Sequence, residues 1–192
     1  MPVFWMRMKV DNVEESSTAK AIRKACKSFT VTYKKAVITD EINDLFKQYR
    51  MMIDFDTSYS CSEFLHDDEF KLPFNSMLVE IRDFNRLIAI GFFDKGTNSI
   101  AGILNFYHPD YKKYSLGKYL ILKKIDYMVE KKIQFFYSGY IAANYPRFDY
   151  KLFPDINALE VFLPVEKEWK PYLQHDKAYL ENYFNEHIAE LY

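Results

Sequence analysis

Tyr140, Asp149, Tyr150 and Lys151 place two phenols, a carboxylate and an ammonium in one short stretch of chain, just after a Ser138-Gly139 step. Together they suit acyl transfer to an amine. Such a reaction needs a neutral amine nucleophile, a place for the developing oxyanion and a proton for the departing hydroxyl. Asp149 can hold or deprotonate the amine, Tyr150 can pass a proton, and Lys151 can face an oxyanion or a phosphate. The plainer alternative makes Asp149 and Lys151 loop charges on either side of a buried Tyr150.

A second constellation precedes this one. Lys112 and Lys113 stand just before Ser115 and Gly117, which open an amphipathic helix. The free N–H groups and positive dipole end of such a turn attract anions. Lys112, Lys113, Ser115 and Gly117 are therefore candidate substrate-binding residues, as are Gly139 and Arg147 beside the reactive stretch. Lys20, Arg23, Lys24 and Lys27 share one face of an earlier helix and are candidate phosphate contacts. The competing reading is an ordinary solvated face opposite an apolar stripe. His66, His108, His175 and His187 are scattered without metal-ligand spacing, and Cys26 and Cys61 form neither a disulfide framework nor a metal motif. No metal or cofactor is implied.

The elements that position these groups follow from pattern. Trp5 to Val10 alternates apolar and basic character and predicts a first strand. Ser16 or Ser17 caps a helix to about Lys27, with Ile22, Ala25, Cys26 and Phe29 inward. Thr39 starts a longer helix bearing Ile42, Leu45, Phe46, Tyr49 and Ile53, and a short helix covers Ser62 to Asp67. Strands near Met77–Asp83, Leu87–Phe93 and Ser99–Tyr107, separated by turn residues, predict an antiparallel meander. A helix from Ser115 to Lys131 then crosses to a strand around Phe135–Gly139, burying Ile121, Ile125, Met128 and Val129. After a polar loop come a strand near Leu159–Leu163 and a last helix from Asp176 to Leu191, with Tyr179, Leu180, Tyr183, Phe184 and Ile188 inward. This order predicts one α+β domain over 1–192, a mostly antiparallel twisted sheet flanked by helices.

Composition agrees. The 192 residues are 49% apolar and 28% charged, which suits one globular domain with a real core. Aromatic residues make up 18%, including 16 Tyr. Such side chains fill cores with polar edges and also stack on nucleobases. No run is long and apolar enough to span a membrane, and the start lacks signal-peptide blocks, so a cytoplasmic protein is expected. The formal net charge of −1 attracts no polyanion globally. Its distribution is bipolar: Met1–Lys35 carries eight basic and three acidic residues, and Ala36–Phe70 two basic and nine acidic. Only one side of such a surface suits nucleic acid.

The order Pro109, Ser115-Leu116-Gly117-Lys118-Tyr119 opening a helix, a Tyr-rich strand ending Gly139-Tyr140, then Tyr150-Lys151 before Phe153, resembles the C-terminal domain of arginyl-tRNA–protein transferases. Trp5 to Val10, the helix around Ser17–Phe29, and Tyr49-Arg50 extend the resemblance over roughly Phe4 to Pro154, with 109–153 the best-matching core. It implies a GNAT-like acyltransferase fold. The activity implied is transfer of an amino acid from charged tRNA to the N-terminal amine of a polypeptide, these two being the partners, with no cofactor and no membrane. Two features depart from the family. Its Met-Arg-Tyr-Lys reads Phe148-Asp149-Tyr150-Lys151 here, with Tyr145 in place of the cysteine just upstream. The cysteine-rich region that members carry before the Trp5 segment has no counterpart in these residues. Family members act on acidic N-termini, so Asp149 in place of arginine predicts an acceptor that is not Asp or Glu, unless Arg147 restores the charge. Two other readings keep the fold: an N-acyltransferase using coenzyme A, and a non-catalytic binding module. The single glycine of the Ser115 turn, against two spaced glycines in the acetyltransferase pyrophosphate loop, argues against coenzyme A.

Overall fold

The computed structural model describes residues 2–55, 57–65 and 75–188. His66, Asp67 at the end of the predicted short helix, and Leu191 at the end of the last helix lie outside the described residues.

Among these described residues eight strands form one sheet in the order β2-β3-β4-β5-β6-β1-β7-β8. They are β1 Val3–Lys9, β2 Thr30–Lys35, β3 Ser76–Asp83, β4 Arg86–Lys95, β5 Ser99–Tyr107, β6 Phe135–Ala142, β7 Leu159–Leu163 and β8 Glu168–Pro171. β3, β4 and β5 are the predicted meander, with adjacent strands antiparallel. Two strands were not anticipated. Thr30–Lys35 is short, polar and edge-lying, and Glu168–Pro171 is an edge strand of four residues ending in proline, so neither carries strong apolar alternation.

Helix α1, Ser17–Ala25, is capped by the Ser16 hydroxyl, which accepts from Ala19 N at 3.2 Å. Helix α2, Asp40–Met52, is capped by Thr39, with Asp40 and Glu41 in its first turn. Helix α3 spans Leu116–Lys131 and α4 spans Lys177–His187. Alternation along the strands sends side chains to both faces, and each face has its own cluster. Ala19 and Ile22 of α1, Leu120 and Ile125 of α3 and Leu180 of α4 pack with Met6, Met8, Val79 and Phe93. On the other side α2 places Ile42, Leu45 and Phe46 against Leu78, Ile90, Phe92 and Phe106. The helical stripes are corrected in detail: Ala25, Val129 and Tyr179 are exposed, whereas Ala19, Tyr119 and Leu122 are buried.

The crossover matters most for function. α3 links β5 to β6, which run parallel but pair only at Ser99↔Phe135, Ile100↔Phe136 and Ala101↔Tyr137. β5 continues to Tyr107 and β6 to Ala142 without pairing further, so the two strands open a wedge. The expected α+β architecture, GNAT-like and mostly antiparallel, is the one observed.

Candidate active site

The segments 139–140 and 148–151 meet beside the open end of β6, and the first turn of α3 approaches Phe153 just after them. Leu116 is fully buried, and Leu152 and Phe153 pack on the same cluster. Lys118 Nζ of the first α3 turn lies 5.2 Å from the Phe153 ring centroid. Gly117 faces the end of β5, for a Cβ added there would meet only Tyr107 Cε1, at 3.7 Å. Ser115 does not cap α3 with its hydroxyl. It adopts the left-handed conformation (φ 53°) at the junction between the 3₁₀ segment Pro109–Tyr114 and the helix, and it is exposed.

The stretch read from sequence as a polar loop is a 3₁₀ helix, Pro146–Leu152. Side chains three apart eclipse in that geometry, so Phe148 and Lys151 share one face while Asp149 turns elsewhere. Lys151 is 7% exposed. Its Nζ donates to Tyr140 O at 2.9 Å and sits 4.3 Å from the Tyr140 ring centroid, 4.8 Å from Phe148 and 5.7 Å from Tyr150. Three aromatic rings thus enclose an ammonium. Burial lowers its pKa to about 8. Trp5 of β1 extends the aromatic group, edge-on to Tyr140 at 6.0 Å between centroids.

Phenols lie near this group. Tyr49 at the end of α2 packs on Tyr107 at 5.5 Å between centroids. Burial, with Tyr107 and Tyr150 nearby, raises the Tyr49 pKa to about 12. Burial also raises Tyr107, and burial with Tyr140 raises Tyr150. Such phenols keep their protons at neutral pH and serve as donors.

Other predicted residues have partners. Asp149 Oδ1 is shielded from water and lies 2.5 Å from Lys177 Nζ of α4, an ion pair whose angle misses that of a hydrogen bond. Its charge is therefore paired, through one carboxylate oxygen, with Lys177. Arg147 pairs with Asp54, stacks 4.3 Å from the Phe55 ring centroid and reaches Tyr145 Oη. Arg23 is a tie between helices: its guanidinium meets Asp126 Oδ1 and Oδ2 of α3 at 2.7 and 2.8 Å, and it also pairs with Glu15. Burial raises the Asp126 pKa, but the bonds from Arg23 and Lys123 outweigh it and hold the carboxyl below its ordinary value. Lys20, Lys24 and Lys27 are exposed, as are Lys112 and Lys113. Cys26 Sγ donates to Tyr114 O at 3.6 Å, which sets the end of α1 beside the Lys112–Lys113 turn.

Sequence reading missed Phe148, Lys177 and Trp5 as parts of this site. Only a 3₁₀ spacing of three from Lys151 signals Phe148, and Lys177 and Trp5 arrive through tertiary contact. Among the described residues no cluster of His, Cys, Asp and Glu can hold a metal ion.

Residues 27–156 match the profile of the arginine-tRNA-protein transferase C terminus. That span is more than half of the chain and includes every residue of the site except Trp5 and Lys177. The chain belongs to the arginine-tRNA-protein transferase family. Among its curated relatives, the Arabidopsis thaliana arginyl-tRNA–protein transferase 2 is 27% identical over 164 residues, covering 72% of this chain and 27% of that protein. A Pseudomonas syringae pv. tomato aspartate/glutamate leucyltransferase is 33% identical over 138 residues, covering 69% of this chain and 57% of the relative. The chain therefore spans between about a quarter and three fifths of the length of these transferases. In fold it is similar to the C-terminal domain of an Agrobacterium fabrum protein named as a lysylphosphatidylglycerol synthetase, with a TM-score of 0.54 and 11% identity over 72% of this chain and 46% of that one. For Lys20, Arg23 and Lys24 the family match gives no support, since they lie before residue 27.

Proposed function

We propose that this chain transfers the amino acid of a charged tRNA to the N-terminal amine of a polypeptide, at the wedge between β5 and β6. The donor suits a cytoplasmic protein, and no cofactor is required. The observation that carries the reading is Lys151, enclosed by Tyr140, Phe148 and Tyr150 at the wedge mouth, within the span that matches the family.

The acceptor nitrogen attacks the ester carbonyl carbon, a C–N bond forms, and the bond to the ribose oxygen breaks. The proton lost by the amine ends on that oxygen, so ester and amine become amide and alcohol. Lys151, a cation below a pKa of about 8, faces the oxyanion. Tyr150, its phenol held protonated, passes a proton to the departing ribose hydroxyl. The α3 opening and the exposed Lys20, Lys24, Lys27, Lys112 and Lys113 take the phosphates of the charged tRNA. Asp149, paired with Lys177, supports the 3₁₀ helix and takes no proton. The family relatives transfer different amino acids by name, arginyl in one and leucyl in the other.

Incubation with separately charged, labelled tRNAs and peptides of varied N-termini tests this reading. Label should enter peptides with free α-amines and not acetylated ones. Label from acetyl-coenzyme A in place of tRNA supports the N-acyltransferase instead, and no transfer from either donor supports a binding module.

A further inference from the structure

Lys124 has no role in the chemistry above, yet it is among the most deeply buried side chains. It projects from the middle of α3 and is 1% exposed. Its Nζ donates to Phe92 O and to Asn105 Oδ1, both at 2.8 Å, and lies 5.9 Å from the Phe93 ring centroid. No carboxylate pairs with it among the described residues, and burial alone lowers its pKa to about 7. An uncompensated cation in a core is costly, whereas a leucine or methionine would fill the same space without that cost.

The two acceptors mark a particular place. The β4–β5 register shifts between Phe92 and Phe93: Phe92 faces Leu104 and Phe93 faces Gly102, so Ile103 is an extra residue in β5. A bulge of this kind bends its strand and leaves backbone groups out of the ladder. It begins directly after Ala101, the last β5 residue paired with β6. The bulge therefore sits where the wedge starts, and Lys124 bonds just beyond it to one residue of each strand, Phe92 of β4 and Asn105 of β5. Gly91 completes the arrangement. It pairs with Asn105, and a Cβ there would stand 2.8 Å from Asn105 Oδ1 and 3.1 Å from Lys124 Cε.

We propose that Lys124 is a positioning residue that pins the β5 bulge from α3 and so keeps β5 splayed from β6, holding open the wedge to which the transferase reading assigns the aminoacyl ester. The role needs two donors, and both the ammonium and the neutral amine supply them. It rests on that reading for its catalytic consequence alone; the pin itself is a statement about β5.

The test uses the whole chain with Lys124→Met, similar in length but without donors, and Lys124→Gln, which keeps an amide donor. Hydrogen exchange of the segment 100–107 is followed beside transfer from charged tRNA. In Lys124→Met this segment should exchange about tenfold faster or more while the rest of the sheet is unchanged. Transfer at saturating tRNA should fall by about tenfold to a hundredfold, with the half-saturating concentration kept. Lys124→Gln should recover part of both losses, and it carries the test alone if the methionine variant does not fold. Unchanged exchange in Lys124→Met, or in Lys124→Gln where the methionine variant does not fold, overturns the pin. Faster exchange with unaltered transfer per folded molecule leaves Lys124 a structural tie and overturns its positioning role. If the wild type transfers nothing from any charged tRNA, the transferase reading fails, and exchange still decides whether Lys124 pins the bulge.

Discussion

A Cβ built on Gly139 would stand 3.1 Å from Lys151 Nζ, so the lysine runs directly beneath a strand residue that has no side chain. Gly139 also has φ +101°, a conformation that L side chains rarely adopt. Backbone and buried cation are thus fitted to each other. Gly139→Ala should cost on the order of 1–3 kcal/mol in stability and displace Lys151. Urea unfolding and transfer assays on the same preparation check it. A variant with unchanged stability and activity would show that the close approach is not needed.

The pH–rate profile should be bell-shaped. It rises as the acceptor amine loses its proton, near 7.7–8.0 for an ordinary α-amino group. It falls as Lys151 loses its charge, with its pKa lowered by burial to about 8. Lys151→Arg keeps a permanent cation and should lower the rate yet remove the descending limb. A descending limb that persists in the arginine variant assigns it to another group.

Salt dependence separates Arg23 from its lysine neighbours. Replacing Lys20, Lys24 and Lys27 together with alanine should reduce the slope of log K against log salt for tRNA by roughly 2–3. Arg23→Ala should leave the slope alone and cost roughly 1 kcal/mol in stability, since the Asp126 pair is partly exposed. An unchanged slope in the triple variant would make the face a solvated one.

Lys124 predicts how stability varies with pH. Its folded pKa, lowered to about 7 by burial, lies below the unfolded value near 10.4, so between these the unfolded chain binds more protons. Stability should therefore rise with pH through that window, and the full penalty is present below about 7. Lys124→Met removes the term, on the order of a few kcal/mol, and should gain more at pH 6 than at pH 9. Denaturant unfolding at the two values measures it. Equal pH dependence in both proteins would mean that the ammonium is solvated.

The meander, the crossover helix and its parallel strand were legible because Met77–Tyr107 and Leu116–Gly139 carry strong periodicity and clear turn residues. The partners of charges were not. Arg23 reads from sequence as one of four cations on a face, and only the approach of α3 brings Asp126 to it. Asp149 and Lys151 are two residues apart and looked like one cluster. The 3₁₀ twist divides them, giving Lys151 to Tyr140 and Asp149 to Lys177. Lys124 resembles any helix lysine until the β5 bulge is seen beneath it. Long-range packing decides such pairings, and no local pattern encodes it.

The central claim is that Lys151 serves aminoacyl transfer at the β5–β6 wedge. Transfer of label from charged tRNA to a peptide α-amine by wild type and Lys151→Met tests it most directly, with tRNA binding and folding measured alongside. The account predicts a new amide bond with the wild type, and about a hundredfold less product or lower with a folded, tRNA-binding Lys151→Met. Equal transfer by the two proteins, or none from any charged tRNA by the wild type, would contradict it.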